Sequence, residues 1–148
     1  MKRLSHVDKR GKARMVDVSA KPIQVREAVA RGAIFLKRET LALIATNKIA
    51  KGDVFHTARL AGIQAAKRTG ELIPLCHPLN LTHVDVDLHP KAGRIEITAT
   101  AKIAAQTGVE MEALTAVAVT ALTIYDMCKA VDKEMVIGDI KLVSKKKF

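Results

Sequence analysis

Two pairs of charged residues flank one long apolar segment of this chain. Glu110 and Glu112 precede the segment, Asp126 and Lys129 lie near its end, and the residues from 113 to 131 are mostly apolar. Those apolar residues surround the whole axis of a helix, which predicts a buried helix over this range. Carboxylates and lysines are side chains that move protons in enzymes. The pattern therefore predicts acid–base chemistry at the ends of one core helix.

The spacing within each pair predicts its geometry. A helix would turn Glu110 and Glu112 about 200° away from each other, whereas an extended chain points them the same way. Gly108 favours the extended interpretation, and the alternative is a pair of ordinary charges at a helix N-terminus. Asp126 and Lys129 are three residues apart on one helix face, so we expect them to pair or to face a polar cleft. The alternative for them is a stabilising ion pair near a helix C-terminus.

Two further residues have chemically useful surroundings. Lys51 precedes Asp53, which is a good N-cap for a helix over 54–68 that a glycine at 70 would close. A helix N-terminus favours anions, so Lys51 is a candidate anion ligand, unless it is a solvated loop lysine. His77 precedes Pro78 in extended backbone, where it is either a site residue or a core or turn histidine.

Composition limits the class of protein. The chain has 148 residues and a net charge of +10, which predicts one domain with an anionic partner or substrate. Three Phe, one Tyr and no Trp argue against a nucleic-acid binder that stacks bases. Two cysteines without CxxC spacing, no signal peptide and no charge-free membrane-spanning run predict a cytoplasmic protein that does not contact a membrane. Nucleotide-binding and zinc motifs are absent from the sequence, so no cofactor and no metal are predicted.

Periodicity predicts an α+β protein. Residues 1–14 read as a basic arm and 15–148 as a single catalytic domain. Strands are predicted at 15–19, 30–37 and 136–143, with a hairpin over 83–103 that turns at 90–93. Short and long helices are predicted at 39–47, 54–68 and 113–131. We expect a ferredoxin-like sandwich, with helices on one face of a mostly antiparallel sheet, that forms a homo-oligomer.

Three segments carry a resemblance to a known family. LIPLCHPL at 72–79, TGVEMEAL at 107–114 and YDMCKA at 125–130 closely resemble cyclic pyranopterin monophosphate synthases, the C-protein family of molybdenum-cofactor biosynthesis. The likeness extends from residues 15–19 to 140–142, nearly the whole chain. It implies a lyase that converts 3',8-cyclo-7,8-dihydro-GTP into cyclic pyranopterin monophosphate and releases pyrophosphate. It also implies a ferredoxin-like hexamer of three dimers, with sites at the dimer interfaces.

The resemblance also implies the site residues. The catalytic set would be Lys51, His77, Glu110, Glu112, Asp126, Lys129 and Lys145. The substrate-binding set would be Arg26, Lys51, Leu75, Cys76, His77, Met111 and Glu112.

These residue types suit the implied reaction. Arg26, Lys51 and Lys145 would hold the phosphates, and Lys129 beside Asp126 is the first choice for the essential acid–base residue. The chain ends in three lysines, so Lys146 or Lys147 is an alternative to Lys145. Because the resemblance implies that two subunits share each site, we expect the Lys51 and Lys129 of one site to come from different subunits. The rival classes are a basic nucleic-acid-binding module and an oligomer that senses a nucleotide without turnover.

Overall fold

The computed structural model describes residues 4–148. Its elements, in chain order, are β1 (Gln24–Phe35), α1 (Arg38–Ala45), α2 (Val54–Lys67), α3 (Thr69–Leu72), β2 (His83–Lys91), β3 (Arg94–Ala105), α4 (Glu110–Cys128) and β4 (Val136–Lys147).

The strands form one sheet in the order β2-β3-β1-β4, and every neighbouring pair is antiparallel. In β3 every second residue from Ile95 to Ile103 is buried, because that face packs beneath the helices. The opposite face carries Arg94, Glu96 and Lys102. The prediction of a ferredoxin-like α+β fold with helices on one face is confirmed.

Helix α4 is the central core element. Ten of its 19 residues are buried, and it packs against α2 and the sheet. Its length and mean hydropathy of 1.3 would suit a membrane span, but burial within the protein identifies it as a core helix. Gly62 of α2 allows the close approach of the two helices, since a Cβ there would lie 2.9 Å from the carbonyl oxygen of Ala116.

Several predicted elements are confirmed. Helices α1 and α2 match the two predicted early helices closely, and the Asp53 carboxylate accepts a hydrogen bond from the His56 N–H at 3.0 Å. The predicted hairpin is β2 and β3, and Gly93 adopts a φ of 74° at its turn. The strands predicted at 30–37 and 136–143 are found, although β1 begins earlier and β4 continues to Lys147.

Two local predictions are wrong. Residues 15–19 form no strand, because the Asp17 carboxylate accepts hydrogen bonds from the Ser19 N–H and hydroxyl and bends the chain. Residue Gly70 does not close α2, which ends at Lys67; the glycine lies inside α3 instead. A Cβ on Gly70 would lie 3.0 Å from the Cα of Pro78. This glycine therefore allows α3 to pack on the segment that Pro74 and Pro78 enclose, here called the proline-framed segment.

The predicted N-terminal arm is covered in part. Its residues 1–3 lie outside the described residues, and residues 4–14 contain one isolated bridge, from Val7 to Ala13. The boundary between arm and domain at residue 15 stays a prediction.

Candidate active site

The C-terminal end of α4 carries a carboxylate between two lysines. The Asp126 carboxylate lies 2.9 Å from the Lys51 Nζ and 3.1 Å from the Lys129 Nζ. Lys51 also donates to the Asp126 carbonyl oxygen at 3.2 Å. All three side chains are about half exposed. The predicted pairing of Asp126 with Lys129 is confirmed, but the pair faces solvent rather than the core.

Local structure explains how this cluster forms. Asp126 and Lys129 share the last turn of α4, with Lys129 as its C-cap. Gly52 reaches a φ of 108°, which favours glycine, and so turns the chain between Lys51 and the start of α2. The hydrogen bonds from Lys51 and then Lys129 hold the pKa of Asp126 below its usual range. The ionised carboxylate therefore keeps two ammonium groups together on an accessible surface.

The N-terminal end of α4 borders a cleft of about 270 Å³. Its lining includes all the substrate-binding candidates of the proline-framed segment and of the start of α4: Leu75, Cys76, His77, Met111 and Glu112. Glu112 is only 4% exposed. Burial raises the pKa of Glu112 to about 7, and the charge of Glu110 acts in the same direction. Glu112 can therefore hold or release a proton near neutral pH.

The prediction that Glu110 and Glu112 lie in extended chain is wrong. Both lie in the first turn of α4, where the helix dipole favours carboxylates. Both side chains line the cleft, but only Glu110 also reaches the Lys145 Nζ, at 3.3 Å, while Glu112 is buried. The two acids therefore have different surroundings.

The N-terminal segment also contributes to the cleft. His77 Nε2 lies 2.5 Å from the Val16 carbonyl oxygen, and Val16, Val18 and Lys21 join the cleft lining. Sequence reasoning did not place these three residues at the site. For Val16 and Val18 the available signal was the family resemblance over residues 15–19, but that segment was predicted to be a strand and was not connected to a cleft. No sequence signal indicated Lys21.

Cys76 lies in the same cleft as Glu112. Burial, with a contribution from the Glu112 charge, raises the pKa of the Cys76 thiol. A raised pKa keeps the Cys76 thiol protonated and therefore weakly nucleophilic.

Arg26 differs from the exposed phosphate ligand that we expected. It is 8% exposed, and its guanidinium donates to the carbonyl oxygens of Ala105 and Gln106 at 3.3 and 3.4 Å. These contacts hold the chain between β3 and α4. Arg26 also lines a small crevice with Glu110 and Lys145.

The register of β4 distinguishes the terminal lysines. Lys145 pairs with Ala28 and lies on the helix side of the sheet, where it contacts Glu110. Lys146 pairs with Glu27 on the opposite face. Lys147 pairs with Arg26 and lies on the same face as Lys145, so the register argues against Lys146 only, and the role of Lys145 in the site stays a prediction.

The two clusters lie at opposite ends of one helix. Glu112 and Asp126 are 14 residues apart, which corresponds to about 21 Å along the α4 axis. Lys51 and Lys129 both contact Asp126, so the expectation that they belong to different halves of the site is wrong. One subunit thus presents two separate clusters of candidate site residues. Within residues 4–148, no three His, Cys, Asp or Glu side chains lie together as a metal site would require.

Comparison with known proteins identifies the family. The model of the MoaC family matches residues 15–147. The chain belongs to the MoaC family. Its relatives include a cyclic pyranopterin monophosphate synthase of Parvibaculum lavamentivorans, 60% identical over 97% of this chain and 91% of the relative. The corresponding protein of Pelotomaculum thermopropionicum is 60% identical over 98% and 86% of the two chains. Cyclic pyranopterin monophosphate synthase 3 of Mycobacterium tuberculosis is 62% identical over 96% and 81%.

The MoaC match spans both clusters of candidate site residues. Residues 15–147 include the Asp126 cluster, the Glu112 cleft and the N-terminal segment that contacts His77. The predicted family is confirmed over nearly the whole chain.

Proposed function

We propose that this protein is a cyclic pyranopterin monophosphate synthase. It converts 3',8-cyclo-7,8-dihydro-GTP into cyclic pyranopterin monophosphate and pyrophosphate, a lyase reaction of molybdenum-cofactor biosynthesis in the cytoplasm. The single observation that carries the proposal is the Asp126 carboxylate held between Lys51 and Lys129, within a chain that matches synthases so named.

The lysines suit a triphosphate substrate. A triphosphate carries about four negative charges near neutral pH. Lys51 and Lys129 are about half exposed and share one carboxylate, so their remaining N–H groups are free to donate to phosphate oxygens. The same ammonium groups would stabilise the negative charge on the departing pyrophosphate.

The two carboxylates suit proton transfer in opposite directions. Lysine hydrogen bonds keep Asp126 ionised, whereas burial brings the pKa of Glu112 to about 7. A pair of acids whose pKa values differ in this way supplies one base and one acid at the same pH. Lys129, beside Asp126, is the acid–base residue that we assign to the essential step.

Two subunits are needed to bring these groups together. A nucleotide-sized substrate does not span the length of α4, so we place each site between the Asp126 cluster of one subunit and the Glu112 cleft of another. The outward side of α4 supports such a contact, because it presents apolar residues at helical spacing: Met111, Leu114, Ala118, Leu122 and Tyr125.

The spacing of this outward stripe fits a two-fold axis. Ala118 lies midway between Met111 and Tyr125 in sequence. An antiparallel contact of two α4 helices centred on Ala118 would place the Asp126 end of one helix beside the Glu112 end of the other. Each such dimer would contain two equivalent sites, and three dimers would form the proposed hexamer.

Direct turnover tests the proposed function. The protein is incubated with 3',8-cyclo-7,8-dihydro-GTP, and pyrophosphate and the pterin product are measured together. We expect equimolar formation of both by the wild type and none by Lys129→Ala. Tight binding without pyrophosphate release would contradict the proposal and favour a nucleotide sensor, and steeply salt-dependent duplex binding without turnover would favour a nucleic-acid module.

A further inference from the structure

The turn that follows α4 is held by one buried carboxylate. Asp132 is 1% exposed, whereas its neighbours Val131 and Lys133 are exposed. One carboxylate oxygen accepts from the Lys37 N–H at 3.0 Å and from the Thr40 hydroxyl at 2.8 Å. The other accepts from the Glu134 N–H at 3.0 Å. Both oxygens of this buried acid are therefore used.

The Asp132 carboxylate attaches the turn to the start of α1 by accepting from the backbone N–H of the N-cap residue, Lys37. Lys37 is the N-cap residue of α1, and its own side chain makes no capping hydrogen bond. Asp132 supplies the acceptor from a point 95 residues away in the chain. Burial opposes ionisation of Asp132, but the backbone hydrogen bonds from Lys37 and Glu134 and that from Thr40 hold its pKa below the usual range. The charged form thus locks the turn onto α1.

The same turn carries Lys129. The Val131 and Asp132 N–H groups donate to the Cys128 carbonyl oxygen at 3.0 and 3.1 Å, which ties the turn to the end of α4. From Lys129 to Glu134, Asp132 is the one buried residue. The nearby Lys37–Glu134 ion pair at 3.4 Å is exposed on both sides and contributes little.

We infer that Asp132 is a positioning residue for Lys129: it fixes the turn against α1 and so sets where the lysine ammonium meets Asp126 and the substrate. The inference rests on the proposed function for its catalytic consequence. Its structural consequence concerns the Lys129 side chain alone. A displacement of about 1 Å at a reacting group is sufficient for large losses in rate.

The test compares Asp132→Ala with Ile95→Val, a variant of the buried core of β3 chosen for a similar fall in Tm. For Asp132→Ala we expect kcat to fall about tenfold to a hundredfold while KM changes by about twofold or less. Asp132→Asn should recover part of kcat, because the amide oxygen can still accept the hydrogen bonds that one of the two carboxylate oxygens accepts in the wild type. Ile95→Val should leave kcat unchanged.

A second readout does not depend on activity. NMR of protein labelled at the lysine ε-carbons follows Lys129 directly, with its signal identified by its loss in Lys129→Arg. We expect the signal in Asp132→Ala to move towards that of solvent-exposed lysines, and in Ile95→Val to stay in place. If Asp132→Ala does not fold, Thr40→Val removes one of the three donors and should move the same signal by a smaller amount.

The outcomes separate the two claims. If the wild type releases no pyrophosphate, the proposed function fails, while the Lys129 signal still decides the positioning role. An unchanged Lys129 signal in the folded Asp132→Ala or Thr40→Val variant would overturn the inference. A fall in kcat no larger than that of Ile95→Val would also overturn it.

Discussion

At the scale of single residues, environment rather than residue type separates the roles of the acids. Asp126 is half exposed between two lysines, whose hydrogen bonds lower its pKa, whereas burial, with a smaller contribution from the charge of Glu110, raises the pKa of Glu112. Because the shifts have different causes, they respond to different substitutions. Removing Lys51 or Lys129 should raise the pKa of Asp126, whereas exposing the cleft to water should lower the pKa of Glu112.

Lys129→Ala and Asp126→Ala should each abolish pyrophosphate release while leaving the oligomer folded. Both side chains are about 56% exposed, so their loss removes a solvent-screened ion pair rather than a core contact. Activity, circular dichroism and sizing are measured on the same samples. Arg59→Ala is the matched control, since Arg59 makes a similarly exposed pair with Asp85 at 2.8 Å on another part of the surface.

The control should retain activity, and the Tm of Lys129→Ala should fall no further than that of Arg59→Ala. Near-normal turnover in either site variant would remove Lys129 or Asp126 from the mechanism. Unfolding of the site variants alone would show that the ion pair is structural.

Glu112→Gln should change the pH dependence of stability. The pKa of Glu112 is raised from about 4.5 to about 7, so the folded state binds the proton more tightly than the unfolded state. The wild type is therefore most stable, relative to the variant, below about pH 4.5 and loses that advantage as pH rises through about 7. The loss is at most about 3 kcal/mol and smaller in practice, because the carboxyl borders an open cleft.

Urea unfolding of both proteins across this pH range measures the difference directly. Glu39→Gln, an exposed substitution on α1, should follow the wild type at every pH. A constant difference between Glu112→Gln and the wild type would show that the Glu112 carboxyl titrates normally.

The sequence predicted some residue contacts and not others. The pairing of Asp126 with Lys129 follows from helical spacing alone. The contact of Lys51 with Asp126 cannot be predicted from helical spacing, because it depends on how α2 packs against α4. The separation of Glu110 from Glu112 was missed, since Gly108 was taken to extend the chain where the helix in fact begins two residues later.

At the scale of elements, the contact between α2 and α4 aligns the first cluster. Gly62 faces Thr120 across this contact. In an isolated helix, a glycine-to-alanine substitution would stabilise the helix by about 1 kcal/mol. Here the added Cβ would overlap Thr120 and lie 2.9 Å from the Ala116 carbonyl oxygen. Close packing of the two backbones therefore opposes helix propensity.

Gly62→Ala should lower the free energy of unfolding by about 1 to 3 kcal/mol, because the two helices must move apart. Denaturant unfolding measures this value. Thr120→Ala in the same chain removes the closest atoms and should recover part of the loss, whereas a Gly62→Ala protein more stable than the wild type would contradict the packing.

An element can be predicted from the sequence when the residues that determine it lie within its own segment. The hairpin β2–β3 and helix α1 have strong periodicity, and α2 also has its own Asp53 cap, so the sequence predicts all three. The segment 15–19 alternates like a strand, yet its Asp17 side chain bonds to Ser19 and the segment lies across the cleft instead. The function of α3 as a support for the proline-framed segment depends on a tertiary contact that no local pattern shows.

At the scale of the whole molecule, one helix separates the two clusters of candidate site residues and presents the apolar stripe that we propose joins two copies. Leu122, near the middle of that stripe, is 57% exposed. Leu122→Lys should dissociate the proposed dimer and reduce turnover, because each paired-helix contact would bury two new ammonium groups, one from each subunit, against the apolar stripe of the partner. Analytical ultracentrifugation measures the dissociation.

Leu60→Lys is the matched control for Leu122→Lys. Leu60 is 58% exposed on α2, and its substitution should leave size and activity unchanged. An intact oligomer in Leu122→Lys would show that α4 does not form the subunit contact.

Subunit complementation tests the composite site most directly. Inactive Lys129→Ala and inactive Glu112→Gln proteins are mixed in equal amounts, allowed to exchange subunits, and assayed for pyrophosphate release. Half the dimers would be mixed, each with one intact site of two, so we predict about a quarter of wild-type activity. Lys129→Ala mixed with Lys51→Ala should recover none, because both lysines contact the same Asp126. After exchange is verified with labelled subunits, no recovery in the first mixture would contradict a site shared between subunits.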